Sequence, residues 1–476
     1  MAKPGIYSSR NKAGLGEAGE SKRSERPRIL FVSHSGDLYG AERSLLTLLR
    51  GLLKTGKYEL MVFAPHEGAL TKTLGDEGIA FRVLPFARWI GLRYHFITRY
   101  ARRLKNRWYL PALIRAAEQW NPDIIYTNTI ATPVGAIMAG KLSARPCHIW
   151  HARELPGNKK LGFGLFDMGN HSSYRLIAQT ADRLICNSQF LYNKLKALLE
   201  DESGNGGKSG SNPEMPMEVI LNGFEITKHQ PEDREGHRDK RSEGHKDKRS
   251  EGHSDEHSEG HSDERSEGHS DEHSEGHSEE RSFERSSGKT IRLIMAGGIS
   301  PVKNYEEAIE GIRRLSDTGY SVNLDIYGSG SPCYLKKVKN QVSGAKLDHR
   351  VRFMGYTDDI SSELARADML LITSRMETFG RTAVEAMLAG CPVISSDSGA
   401  LPEIIKDGET GLLYRSGDAE HLSFQIRKLT DSPALRSEMA KKAAEYACRN
   451  FSVERFTSDI DRILQQLLSS KDCGSE

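Results

Sequence analysis

The sequence predicts an α/β protein of two Rossmann-like, doubly wound domains with a disordered repeat linker between them. Three observations carry the prediction. Short apolar runs rich in Ile and Val recur without polar alternation, helical stretches separate them, and the rhythm stops after Gly223 and resumes at Ile291. Unalternated runs suit strands buried on both faces, and their alternation with helices suits a parallel sheet. At 476 residues the chain has the length for two cores, at roughly 100–200 residues per domain.

Residues 1–26 mix Lys, Arg, Glu, Gly and Ser without the apolar stretch of a signal peptide, and are expected to form a disordered tail. The first domain is expected over 27–224. Its strands are predicted at 28–33, 60–64, 124–126, 184–186 and 219–221, and 41–53 (AERSLLTLLRGLL) spaces its leucines as a helix does. The second domain is expected over 290–476, with strands at 291–296, 322–327, 351–354, 369–373 and 392–395. A final helix, 453–468, carries leucines and isoleucines on one face and is expected to pack back across the domain junction.

The intervening linker, 225–289, contains six tandem octapeptides whose EGH triplets begin at Glu235, Glu243, Glu251, Glu259, Glu267 and Glu275. From 235 to 282 there is no aliphatic or aromatic side chain, so nothing offsets an ordering cost of roughly 1–2 kcal/mol per residue. Many of the chain's 17 histidines fall in this tract. They lack the fixed tetrahedral framework of a structural metal site, which favours a solvated spacer over a specific metal centre.

The net charge of +2 gives no reason to expect a nucleic-acid partner. The six cysteines form no CxxC pair, which argues against a zinc site or a disulfide framework and for a reducing compartment. No window approaches the ~18–20 apolar residues of a membrane span. A cytoplasmic protein is expected, at most peripheral at the inner face of the membrane.

The chemistry concentrates in 367–395 (ADMLLITSRMETFGRTAVEAMLAGCPVIS), which reads as strand, loop, helix, strand. Glu377 falls at the carboxyl end of a strand, where ligands bind in open α/β sheets. The amides of Thr378, Phe379 and Gly380 open the helix and offer a site for a pyrophosphate, and Gly380 permits close approach. Glu385, eight residues after Glu377, can accept hydrogen bonds from the two hydroxyls of a ribose.

This spacing and the context E-A-M-x-x-G-x-P-V-I resemble the E-x7-E signature of retaining GT-B glycosyltransferases, particularly glycosyltransferase family 4, the group 1 type. The resemblance extends over about 28–223 and 291–468. It implies two domains facing across a cleft, a nucleotide diphosphate sugar as donor, a saccharide or lipid-linked acceptor, and neither metal nor cofactor. On that likeness Glu377 and His151 are the catalytic candidates, His151 (in IWHARELPG) standing beside the donor sugar. Lys303, in AGGISPVKN, would meet the donor phosphates, and Tyr356 would lie near the base. Gly40 and Ala41, in SGDLYGAE, would face phosphates or acceptor, with Tyr39 in place of the family's first glycine.

One departure is Gly298, where many relatives carry arginine; Arg375 or Arg381 could replace that cation, or either could be a surface residue. The Asp358 and Asp359 pair reads as a helix cap and not as a metal site. Two alternatives stay open: a nucleotide-sugar epimerase or hydrolase of the same fold, and a non-catalytic nucleotide-sugar-binding protein. The basic, aromatic stretch 88–107 (RWIGLRYHFITRYARRLKNR) has two readings as well. It either rests on anionic membrane or forms a helix with core aromatics and solvated arginines.

Overall fold

Apolar runs without alternation must be covered on both faces, and both sheets satisfy them with parallel strands between helices. The computed structural model describes residues 25–91, 96–155, 165–168, 170–201, 216–226 and 290–472. The predicted tail up to residue 24 and the repeat linker from residue 227 lie outside the described residues.

In chain order the first domain contains β1 (Arg28–Val32), α1 (Gly40–Thr55), β2 (Glu59–Ala64), α2 (Ala69–Asp76), β3 (Phe81–Val83), β4 (Ile90–Gly91), α3 (Phe96–Trp120), β5 (Ile124–Thr127), α4 (Val134–Ala139), β6 (Cys147–Ala152), β7 (Leu165–Phe166), α5 (Asn170–Thr180), β8 (Arg183–Cys186), α6 (Gln189–Asp201) and β9 (Met217–Val219). The second contains β10 (Ile291–Ala296), a 3-10 turn (Pro301–Lys303), α7 (Tyr305–Asp317), β11 (Val322–Tyr327), α8 (Pro332–Gly344), β12 (Val351–Gly355), α9 (Ile360–Arg366), β13 (Met369–Ile372), α10 (Arg381–Leu388), β14 (Val393–Ser396), α11 (Leu401–Ile404), β15 (Leu412–Tyr414), α12 (Ala419–Asp431), α13 (Pro433–Asn450) and α14 (Val453–Asp472).

The first sheet runs β3-β2-β1-β5-β6-β8-β9 and the second β12-β11-β10-β13-β14-β15, each reversing direction beside its first strand. The reversal in the second sheet falls between β10 and β13, which pair in parallel through Leu293 with Met369 and Ile294 with Leu370. Loops leaving two such strands diverge to opposite faces and open a crevice at their carboxyl ends.

Although last in the chain, α14 buries Phe456, Ile460, Ile463 and Leu464 in the first-domain core beside Leu45, Leu49 and Ile149. The halves also meet where the Phe224 amide donates to the Phe451 carbonyl at 2.8 Å. No described helix is long and apolar enough to cross a membrane.

Three features depart from the sequence reading. The edge strand expected at 219–221 lies at Met217–Val219, and β3, β4, β7 and β15 are only two or three residues long, too short for a periodicity to stand out. Residues 88–107 fit the reading of core aromatics and solvated arginines only in part. Trp89 is core, stacked on Trp150 at 6.2 Å, whereas Arg99 and Arg102 turn toward the Asp167 carboxylate and the exposed Arg103 donates to the Asp167 carbonyl.

Candidate functional site

The second-domain wall of the crevice is set by the loops after β10 and β13. Thr373 Oγ1, just past β13, donates to the carbonyls of Lys303 and Asn304, both at 2.9 Å, and so clamps the two loops together. This brings the Lys303 ammonium onto the Glu377 carboxylate, which also accepts from Ser374 Oγ at 2.7 Å.

The Glu377 backbone is fixed from behind by the loop after β14. The Ala400 amide donates to the Glu377 carbonyl at 2.9 Å. Gly399 has φ +67°, and a Cβ there would stand 2.2 Å from that carbonyl oxygen, so only glycine lets the loops approach this closely.

Gly380 (φ +98°) turns the chain into α10; the Ala383 amide bonds back to the Gly380 carbonyl at 3.0 Å, and the amides before it, at the helix start, have no intrahelical partner. The Phe379 side chain is core, stacked on Phe224 at 6.2 Å and edge-on to Phe451 at 6.0 Å. Its backbone therefore supplies the contribution to the crevice. Glu385 lies one turn beyond Arg381 and pairs with it at 3.2 Å.

The first-domain wall comes from the strand ends opposite. After β1, the fully buried Glu42 on α1 accepts from Ser33 Oγ at 3.2 Å and stands 2.9 Å from His34 Nδ1. After β6, the buried Arg153 guanidinium donates from Nε to the Asn128 carbonyl at 3.0 Å and to its Oδ1 at 3.1 Å, and also reaches Asn222 Oδ1. Burial pushes Arg153 down to about 10. The neighbouring Glu154 carboxyl is pushed up to about 7 by burial, although His34, Arg153 and the Thr129 hydroxyl all pull it down.

Hydrogen bonds cross between the walls. Thr378 Oγ1 donates to the Arg153 carbonyl at 2.7 Å, and Ser188 Oγ donates to the Thr378 carbonyl at 2.6 Å. The Glu403 carboxylate accepts from the Gln189 amide at 2.8 Å and from the Phe190 amide, capping α6 across the domain boundary. Between the walls lies a cavity of about 690 Å³.

Gly40, Ala41, Lys303, Tyr356, Glu377, Thr378, Phe379, Gly380 and Glu385 all line this cavity. The Ala41 carbonyl accepts from Asn128 Nδ2 at 3.0 Å. Tyr356 is exposed, and its hydroxyl accepts from Arg43 Nη2 at 3.3 Å across the crevice. His151 does not reach the cavity. β6 continues one residue past it, so its ring is fully buried inside the sheet, with Nδ1 against the Tyr126 hydroxyl and Arg153. Burial and Arg153 hold its pKa well below the usual histidine value.

The polar residues just past the strand end, Arg153 and Glu154, line the cavity together with His34, Glu42 and Asn187. Their place just after His151 in IWHARELPG was the available signal. A Cβ on Gly298 would meet nothing within 4 Å, so the backbone there is open toward the cavity that it lines. Of the two candidate replacements, Arg381 lines the cavity, with Nη1 donating to Ser44 Oγ at 2.7 Å. Arg375 instead holds Asn304 Oδ1 at 3.1 Å. Asp359 caps α9, accepting from the Ser362 amide at 3.0 Å. Among the described residues, no group of three or more His, Cys, Asp or Glu side chains is gathered as metal ligands would be.

Two Rossmann-like sheets facing across a crevice, with the site at the switch point of the second, define the GT-B architecture. Residues 277–446 match the family Glycosyl transferases group 1, and residues 39–202 match Glycosyltransferase Family 4. The chain thus belongs to the GT-B glycosyltransferase superfamily, of the group 1 and family 4-like type.

Among proteins similar to it, N-acetyl-alpha-D-glucosaminyl L-malate synthase of Bacillus anthracis is 29% identical over 178 residues, which is 37% of this chain and 45% of that protein. The lipopolysaccharide core biosynthesis mannosyltransferase LpcC of Rhizobium leguminosarum bv. viciae is 35% identical over 135 residues, 28% of this chain and 38% of that one. The chain thus spans less than half the length of these relatives. The crystal structure of Anabaena Alr3699/HepE in complex with UDP and glucose is similar with a TM-score of 0.67 and 21% identity, covering 93% of this chain and 100% of that one.

Proposed function

We propose that the protein is a retaining glycosyltransferase that moves a sugar from a nucleotide diphosphate sugar to a saccharide or lipid-linked acceptor, on the cytoplasmic side and without a divalent metal. The observation that carries this reading is Glu377, anchored at the switch point between the Lys303 ammonium, the Ser374 hydroxyl and the start of α10. As the bond from the anomeric carbon to the diphosphate breaks, negative charge grows on the leaving group. Lys303, Arg381 and the amides around Gly380 would meet that charge, while Glu377 would take hydroxyls of the cationic sugar. The acceptor oxygen then bonds to the same face of the carbon, and its proton passes to the departing phosphate.

Glu385, released from Arg381, would hold the ribose, and Tyr356 would border the base. The lipopolysaccharide assignment of one relative and the UDP and glucose bound to the similar structure support an envelope saccharide and a nucleotide-sugar donor. The test is turnover of a panel of nucleotide sugars, with and without candidate acceptors and with EDTA. Transfer with retained anomeric configuration, insensitive to EDTA and lost in folded Glu377→Gln, is expected. Release or rearrangement of the sugar irrespective of acceptor would point to a hydrolase or epimerase, and binding without turnover to a sensor.

A further inference from the structure

The second half of helix α3 covers the sheet in the ordinary way, burying Leu113, Ala116 and Ala117, but its first half faces the protein with polar groups and leaves large apolar side chains outside. Its protein-facing side is held by polar bonds. Arg102 Nε donates to Asp167 Oδ2 at 2.9 Å, and its second nitrogen reaches the other carboxylate oxygen. Arg103 donates to the Asp167 carbonyl, and Asn106 Nδ2 to the Ala87 carbonyl at 3.0 Å.

On the opposite side Ile97 is 82% exposed, Tyr100 60%, Leu104 49% and Trp108 82%. Their spacing of three, four and four residues aligns them in one stripe along the helix. At 100° per residue, Lys105 and Arg107 flank that stripe on either side, and Arg115 extends its line. No acidic residue occurs between Gly78 and Ala117.

We propose that this outward face of α3 docks on an anionic lipid surface, Tyr100 and Trp108 entering the headgroup region while Lys105, Arg107 and Arg115 meet the phosphates. A second copy is the poorer occupant. A two-fold contact through this stripe would set Lys105 and Arg107 against the same cations, and the one carboxylate along its line, Glu118, lies a turn beyond Arg115 at the far end of the helix.

The face is also tied to the crevice. Arg102 packs on Gly91, where a Cβ would stand 2.3 Å from its guanidinium, and the adjacent Ile90, with Arg88, lines the cavity. Docking would hold the first-domain wall against the lipid surface, which deepens the proposed transfer by making its acceptor lipid-linked and rests on that reading.

The experiment is flotation of the full chain with vesicles of equal parts phosphatidylglycerol and phosphatidylcholine, against phosphatidylcholine alone, beside an assay of donor hydrolysis. The parent is expected to float only with the anionic vesicles. Leu104→Asp with Trp108→Asp, and separately Lys105→Glu with Arg107→Glu, should each lower the bound fraction about tenfold. Both should leave donor hydrolysis unchanged, so that failure here is distinct from failure of the transferase reading. Absence of the parent from anionic vesicles would overturn the proposal. So would a dimer in analytical ultracentrifugation that Leu104→Asp with Trp108→Asp splits while flotation is unaffected.

Discussion

The two walls of the crevice hold charge in different ways. On the second-domain wall Lys303 pairs with Glu377 and Arg381 with Glu385, all partly open to solvent. On the first-domain wall, Glu42 and Arg153 are buried and tied to neutral partners such as Ser33, Asn128 and Asn222. A pair that water still reaches is partly screened, so a ligand that offers each group a new partner can replace it. A phosphate taking Lys303 and a hydroxyl taking Glu377 would be such an exchange. Buried charge cannot be exchanged cheaply, and on this wall burial lowers the Arg153 pKa and raises that of Glu154.

The largest effect that would test this contrast is on Lys303. If the pair exists to be exchanged for a diphosphate, Lys303→Ala should lower turnover by about 10²- to 10³-fold while the protein stays folded. Lys303→Arg should restore little, because a planar fork cannot occupy the place of a point ammonium without displacing Glu377. Near-normal turnover in the alanine variant, measured with saturating donor, would show that the ion pair only braces the loop.

The next test concerns burial on the opposite wall. Folding raises the Glu154 pKa from 4.5 to about 7, so the folded protein keeps a proton that the unfolded chain has already released. That contribution to stability is full below pH 4.5 and is lost as the pH rises through 7. In urea unfolding, the advantage of the parent over Glu154→Gln should therefore shrink by on the order of 3 kcal/mol across this range. A difference independent of pH would mean that the charged partners, and not burial, govern this wall.

Glu385 separates donor binding from chemistry on the same wall as Glu377. Because its expected contact is with the ribose, which does not react, Glu385→Ala should raise the donor KM by about tenfold and change kcat little. An equal fall in kcat would mean that losing its pair with Arg381 disturbs the cation facing the leaving group.

The two walls were not equally legible in the sequence. Glu377, Gly380 and Glu385 fall in one strand, loop and helix of contiguous residues, and Lys303 in a single loop, so local motifs and their resemblance to a family pattern pointed to them. The first-domain wall is assembled from His34, Glu42, Arg153, Glu154, Asn187 and Asn222, which only the strand order brings together. His151 was singled out by its resemblance to a family motif, while the end of β6, one residue past it, brings Arg153 and Glu154 to the cavity. Gly399 was illegible for a different reason: what demands it is the carbonyl of Glu377, on the loop of another strand.

The smallest expected effect tests what holds the walls in register. The halves are joined directly by α14 in the first-domain core, by the Phe224 to Phe451 hydrogen bond, and by the Ser188, Thr378 and Glu403 bonds across the crevice. If these contacts set the register, the tract between Ile226 and Thr290 matters only through its length. Deleting 235–282 shortens that connection by about three quarters, and closure entropy changes by ~0.6 kcal/mol per doubling of length. The deletion should therefore alter stability by about 1 kcal/mol and leave turnover and donor KM within about twofold of the parent. Thermal melting and kinetics on the shortened chain would measure both. A large joint loss would mean that the repeats help to position the walls, and the contacts across the crevice would then be a consequence of their register and not its cause.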